Sequence, residues 1–456
     1  MEVFIIRFDL IIRNGMVVTD EGVKRLDIGV VDGSIVELTP EISGTSSEEI
    51  DANGKYILPG GYDCHVHFNE PGRTNWESLF TGTSALAAGG MTFFTDMPLN
   101  STPVTTNGKN FDLKLEAAKR NSLVDYSFWG GLTPNNLENL EELAERGVVG
   151  FKAFTCFSGL EEFEGADDLT LYRGMEIAAK LGLPVSVHAE NRDITNRLTE
   201  KFTKEGKTRS RDFLNSRPEI SEVEAIQRVI LFAGETKCKL HIAHISTSRG
   251  VELVVEARKK GIDVTCETVP QYLVFTEDDL DRLGPMGKCC PPLRAKDTRK
   301  KLWGYVLAGN VDIVCSDHSP APFELKKDSN FFKAWGGISG CQSTMNVMLT
   351  EGYHNRGLSL EDVSKLISLN PKERFGIRNK GTIKIGYDAD MALVDLNKEF
   401  ILKSEDLFYM HRESPFVGLN FRGKIERTIL RGKTIFHDGK IVSKPIGKFI
   451  TPKHYR

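Results

Sequence analysis

Two hydrophobic textures alternate along the chain. Residues 1 to 56 run as short alternating stretches broken by turns: FDLIIRNG, MVVTDEG and RLDIGVVDGSIVEL. Asn14-Gly15, Asp32-Gly33 and Asn53-Gly54 read as hairpin-type turns, since these residues tolerate positive φ. The same texture returns near the other end in ADMALVDLNKEF and IERTILRGKTIFHDGKIV. Two β-rich ends around a different middle predict one small sheet domain built from residues 1–56 and 387–456. The opening MEVFIIRFDLIIRNG is apolar but broken by Arg7, Asp9 and Arg13 and lacks a small-residue cleavage site. It reads as a strand and not as a signal peptide.

Residues 57–386 are different. Eight short, β-branched apolar runs recur: ILPGGYDCHVHF, MTFFTDM, DYSFWGGL, VVGFKAF, PVSVHAE, KLHIAHIS, DVTCETVP and DIVCSDHSP. Between them lie amphipathic segments such as NLENLEELAERG and TLYRGMEIAAKLG, with helical apolar spacing and a Gly near each end. Eight strands alternating with helices is the count for a TIM (β/α)8 barrel. An open doubly wound sheet is the structural alternative. The barrel is favoured because polar residues stand at the C-terminal end of one strand after another, where such barrels place their sites.

Those strand ends carry the candidate chemistry. Strand one offers His65 and His67; residues two apart on a strand share a face, so both imidazoles can grip one ion. Strand four offers Lys152, strand five His188, strand six His244 and strand eight Asp317. Each has a plainer reading. A strand-end histidine is usually hydrogen-bonded structure, as His241 and His318 are expected to be. A lysine in an apolar run usually snorkels to solvent, and an aspartate before a histidine can form a turn. Six such residues at five strand ends make chance a poor explanation.

Imidazole and carboxylate suit zinc and its divalent neighbours. Four imidazoles and one carboxylate are many ligands for one tetrahedral ion and reasonable for two. The missing bridge is an anion, which Lys152 supplies if its amine adds carbon dioxide and becomes a carbamate. The amine reacts only when deprotonated, and burial beside cations lowers a lysine pKa. Two ions about 3.5–4 Å apart can then share a hydroxide formed at neutral pH. Such a centre is suited to hydrolysis.

Composition narrows the setting. Lys plus Arg is 59 against 63 Asp plus Glu, a net charge of −4. That is no basic footprint for nucleic acid, and no block of like charge suggests an interaction tail. No apolar run is long enough to span a bilayer. The eight cysteines follow no zinc-finger or CxxC pattern and look like buried thiols of a reducing compartment. The expectation is a soluble cytoplasmic protein acting on a small molecule.

The HxH pair, the strand-four lysine, the two later histidines and the final aspartate together resemble the amidohydrolase superfamily in its cyclic-amidase branch. That branch holds dihydroorotases, hydantoinases (dihydropyrimidinases) and allantoinases. The likeness runs nearly the whole length, through Gly386-Tyr-Asp-Ala-Asp-Met-Ala. It implies a barrel plus a small β-sandwich made from both termini. It implies one metal on His65, His67, Lys152 and Asp317, and another on Lys152, His188 and His244. Lys152 would be N6-carboxylysine, the ions zinc, or else cobalt or manganese, and the assembly a homotetramer. A bridging hydroxide would attack the ring amide while Asp317 serves as general base and then acid.

Within the branch, Phe68-Asn69-Glu70-Pro71-Gly72-Arg73-Thr74, Asp96-Met-Pro-Leu-Asn100-Ser, Ser316-Asp317-His318-Ser319-Pro320 and Lys333-Ala-Trp-Gly-Gly-Ile-Ser-Gly-Cys-Gln342 look like allantoinases. Dihydroorotases carry an Arg at the place of Asn69, which grips a ring carboxylate. A guanidinium facing the neutral ureido group of allantoin would lack its anion. Two positions depart from the pattern. Gln271 stands where many allantoinases have His and hydantoinases commonly Gln. Phe157 stands where hydantoinases present a Tyr. The resemblance implies substrate contacts at Asn69, Phe157 and the loop backbone of Cys290 and Gly336, the last two on the imide edge of the ring. Phe154, Phe157 and Trp335 are candidate pocket walls, and the loop Thr155-Cys-Phe-Ser-Gly-Leu-Glu-Glu-Phe a candidate lid. The implied activity is opening of (S)-allantoin to allantoate in purine ureide catabolism. The alternatives are a hydantoinase or dihydropyrimidinase, and a non-catalytic scaffold of the same fold.

Overall fold

A computed structural model describes residues 7–453, so the expectations for residues 1–6 and 454–456 lie outside the described residues. All eight runs of the middle form strands: Gly61–Val66, Met91–Asp96, Asp125–Phe128, Phe151–Phe154, Val185–His188, Leu240–Ile242, Val264–Thr268 and Ile313–Val314. Every neighbouring pair is parallel. The third strand kinks at Trp129. Asp125–Phe128 pairs strand two, and its continuation Gly130–Gly131 pairs strand four.

The circle closes between strands one and eight. Val66 pairs in parallel with His318, His67 N donates to His318 O at 2.7 Å, and Asp63 Oδ1 accepts from Ser316 N at 3.1 Å. The barrel, and not the open sheet, is therefore the architecture. Its strands are covered on both faces, which explains why they read as continuous apolar runs instead of alternating ones.

The helices follow their apolar stripes. Asp168–Leu181 buries Leu171, Gly174, Met175 and Ala178 on one face. Asp167 caps its start, accepting from Thr170 N at 2.8 Å, and Gly182 ends it at φ 71. The stretch 136–147 is less regular than its pattern suggests. It is a 3-10 turn, Leu137–Asn139, followed by the short helix Leu140–Glu145. Among the described residues no helix is long and apolar enough to cross a membrane.

Both ends of the chain build one nine-stranded sheet. Tyr56–Pro59 joins them, pairing in parallel with Arg7–Thr19 and antiparallel with Met391–Ile401. A boundary at residue 56 thus falls inside this strand, which belongs to the sheet. The sheet encloses its own core around Ile12, Val17, Ile28, Ile57, Met391 and Ile429. Asp32-Gly33 turns the hairpin between Gly22–Val31 and Ser34–Thr39, as expected. Asn14-Gly15 does not turn the chain. It lies within the strand Arg7–Thr19 at a β-bulge, where Asn14 takes φ 63 and donates from Nδ2 to Asp51 at 3.1 Å. Asn53-Gly54 turns between two strands that both pair with Arg7–Thr19 and not with each other.

The two layers are pinned by charge. Lys380 Nζ, almost fully buried, meets Asp125 of strand three at 2.7 Å, Asp388 at 2.8 Å and Asp390 at 2.7 Å. Arg431 of the sheet layer also pairs with Asp125.

Candidate metal centre

The strand ends bring the predicted side chains together. His65 Nε2 and His67 Nε2 lie 3.2 and 3.4 Å from Asp317 Oδ1. Across the mouth, His188 Nδ1 faces His244 Nε2 at 3.0 Å. The His65 ring lies 5.4 Å from that of His67 and 5.2 Å from that of His244, centroid to centroid. Phe154 stacks on His188 at 4.7 Å, and the Lys152 ammonium lies 5.1 Å over the same Phe154 ring. Lys152 is fully buried and its Nζ has no hydrogen-bond partner; His67 Nδ1 and His244 Nδ1 have none either.

Burial sets the protonation states. It lowers His65 to about 4 and holds His188 and His244 below the usual histidine range, so the imidazoles are neutral, the form that ligates a metal. It also lowers Lys152 to about 8, against the opposing pull of Glu267 and Asp317. Burial alone would raise Asp317, but His65 and the neighbouring histidines outweigh it and keep the carboxylate well below its ordinary value. His244 and Asp317 both take left-handed backbone, at φ 34 and φ 48. For residues with a side chain this costs about 1–3 kcal/mol each and survives only where neighbours hold it. His244 is held by its N–H, which donates to Glu267 at 3.2 Å.

Two buried carboxylates behind the centre have roles that sequence reasoning missed. Glu267 of strand seven accepts from His65 Nδ1 and lies 2.9 Å from His241 Nε2; it also accepts from Cys64 Sγ at 3.4 Å. Glu190 lies 2.7 Å from His188 Nε2 and accepts from Arg217 Nη1 at 2.7 Å. Each carboxylate orients one ring, leaving His65 Nε2 and His188 Nδ1 facing the centre. Burial would raise both acids; His65 and His241 hold Glu267 low, and Arg217 and His188 hold Glu190 low. The signal for Glu190 was its place two residues after His188, in VHAE. That for Glu267 was a charged residue inside an apolar run.

His241 and His318 are hydrogen-bonded structure. His241 Nδ1 lies 2.8 Å from Thr265 Oγ1, and His318 Nδ1 accepts from Gly340 N at 3.2 Å. Four imidazoles, one carboxylate and a buried amine with no partner are a donor set that fits divalent metal.

Above the centre opens a cavity of about 470 Å³. His65, His67, His188, His244 and Asp317 line it, with Phe154, Phe157, Cys290, Trp335 and Gly336 among the other lining residues. Phe157, Ser158 and Gly159 of the expected lid segment reach the cavity, and Phe157 is 54% exposed. Asn69 does not line it. The structure buries Asn69 completely, with its amide 3.5 Å from Pro320 O. Gln271 is also buried outside the cavity and donates to Ser316 O at 3.3 Å. Arg217 and Lys288, not expected at the site, line it.

The sequence model of the Amidohydrolase family matches residues 56–435. The chain is 55% identical over 446 residues to an allantoinase of Rubrobacter xylanophilus, covering 98% of both chains. It is 53% identical over 445 residues to an allantoinase of Desulfitobacterium hafniense, covering 98% of this chain and 99% of that one. Among solved structures, the L-hydantoinase (dihydropyrimidinase) from Arthrobacter aurescens superposes with a TM-score of 0.95 at 33% identity, over 97% of this chain and 100% of that one. The closed barrel, the convergent strand ends and these likenesses agree: the chain belongs to the amidohydrolase family, in its allantoinase group.

Proposed function

We propose that this chain is a metal-dependent cyclic amidohydrolase that opens the hydantoin ring of (S)-allantoin to allantoate, in purine ureide catabolism. The observation that carries the reading is the convergence of four imidazoles, Asp317 and a partnerless buried Lys152 at one cavity, in a chain 55% identical to an allantoinase. His65, His67 and Asp317 would hold one ion and His188 and His244 the other, with carboxylated Lys152 between them. A lysine at about 8 keeps about a tenth of its amine neutral at pH 7, against about 0.03% at the ordinary value. Carboxylation also turns a buried cation without a partner into an anion able to bridge.

Zinc ions, or cobalt or manganese in their place, supply Lewis-acid polarisation of the ring carbonyl and a water acidic enough to ionise near pH 7. The chain supplies proton transfer and orientation. Asp317, ionised and at hydrogen-bond range of two imidazoles, accepts the proton of the attacking water and returns it to the departing ring nitrogen. Backbone groups of Cys290 and Gly336 pair with the imide edge, and Phe154 and Trp335 cover the ring faces. Phe157 has no hydroxyl and so cannot assist as the hydantoinase tyrosine does. Asn69 brings no guanidinium to the place where dihydroorotases hold a carboxylate. Its effect is this absence of charge, since it lies outside the cavity lining. By likeness to the family the protein is read as a homotetramer, and its eight unpaired cysteines support a cytoplasmic setting.

The test is metal titration of the stripped protein in bicarbonate, followed by ring opening of allantoin. Activity that climbs to a plateau at two ions per chain supports the reading; turnover that survives complete chelation contradicts it.

A further inference from the structure

Lys288 is a buried cation in the cavity wall. It lies two residues before Cys290, is 7% exposed and lines the cavity. Its Nζ donates to Ala334 O, and its own carbonyl accepts from Gly337 N at 2.8 Å. Its side-chain carbons run beside Gly336, and its ammonium lies 4.9 Å over the Phe213 ring. Among the described residues no carboxylate lies within ion-pair distance of it. A buried ammonium without a counter-ion is destabilising, and burial lowers this one to about 8. A methionine could fill the same volume without that penalty.

An ammonium has three N–H donors, and Ala334 takes one. The remaining donors lie on the wall between the Cys290 and Gly336 loops, next to the place assigned above to the imide edge. The ring of allantoin differs from plain hydantoin by a neutral ureido group, whose carbonyl is a strong acceptor. Another cation of the wall, the half-buried Arg217, is already paired with Glu190 at 2.7 Å. Asn69 lies outside the cavity lining.

We propose that Lys288 is a specificity-determining residue: moored on Ala334, its ammonium donates to the ureido carbonyl of the substrate. The inference rests on the substrate reading given above. Its test is Lys288→Met in the metal-loaded protein, measuring KM and kcat for allantoin, the inhibition constant of unsubstituted hydantoin against allantoin, and metal content. Loss of a charged hydrogen bond predicts an allantoin KM raised roughly tenfold to a hundredfold. The hydantoin constant should stay within about twofold, with metal content unchanged.

If both constants rise together, Lys288 acts only through its hold on the two loops, and the proposal is overturned. If neither moves, it is overturned as well. Should the methionine variant not fold, Lys288→Gln serves, being too short to reach Ala334 and the ligand together; it must raise the allantoin constant selectively. A wild-type protein that opens no allantoin overturns the substrate reading and this inference with it. A wild-type protein that does so, with a variant that fails the selectivity comparison, overturns this inference alone.

Discussion

Replacing Glu267 by glutamine separates the charge behind the metal centre from the shape that carries it. The carboxylate serves His65 Nδ1, His241 Nε2 and the N–H of His244. Truncation to alanine would leave all three buried groups without a partner. At about 1–3 kcal/mol each the loss sums to about 3–9 kcal/mol, comparable with the whole stability of a domain, so that variant would report misfolding. Glutamine keeps one oxygen for His65 and His244. Its amide can donate to His241 Nε2, while His241 Nδ1 donates to Thr265 Oγ1, already 2.8 Å away. The fold is then conserved, and what is lost is the negative charge and the weak Cys64 Sγ–H bond to the oxygen that faces His241. Loss of such an orienting carboxylate lowers metal affinity about tenfold to a hundredfold, or about 1.4–2.8 kcal/mol. Competition of the stripped protein against a chromophoric chelator would measure the shift, with thermal unfolding as the control for folding. A folded Glu267→Gln protein that binds zinc as tightly as wild type would refute the reasoning.

Three further perturbations bear on the same account. Asp317→Asn should retain most of its metal but lose about a hundredfold or more in kcat, since the proton acceptor is gone; near-normal turnover removes Asp317 from proton transfer. Lys152→Ala should lose bound metal and activity, and short carboxylic acids should restore part of both; a fully active alanine variant, measured by metal analysis and turnover, sinks the bridge. Lys380→Met strips the cation from Asp388 and Asp390 and half the compensation from Asp125, and should cost about 3–5 kcal/mol in urea unfolding. A change below about 1 kcal/mol would mean the cluster does not hold the layers together.

What could be read in the chain, and what could not, divides along physical lines. Barrel strands buried on both faces give unbroken apolar runs, and polar residues stand out at their ends; His65, His67, Lys152, His188, His244 and Asp317 were legible for that reason. Glu267 was visible as a charge in an apolar run, but its role depends on His65, which lies 202 residues away in the chain. Asn14-Gly15 has the sequence of a turn because a bulge and a hairpin ask for the same positive φ. Asn69 is adjacent to the HxH pair in sequence, yet it is buried against Pro320 O outside the cavity lining, because the strand that sets the two-residue alternation ends at Val66. Lys288 was silent because the wall it stands on exists only where the loops after strands seven and eight meet.

The central claim is the identity of the ring. Its most direct test is kcat/KM of the metal-reconstituted protein for allantoin, hydantoin, dihydrouracil and dihydroorotate, measured side by side in bicarbonate. Allantoin should be preferred by about a hundredfold or more, because the ureido group has a donor waiting for it. Preference for hydantoin or dihydrouracil would contradict the account and move the chain to the hydantoinases.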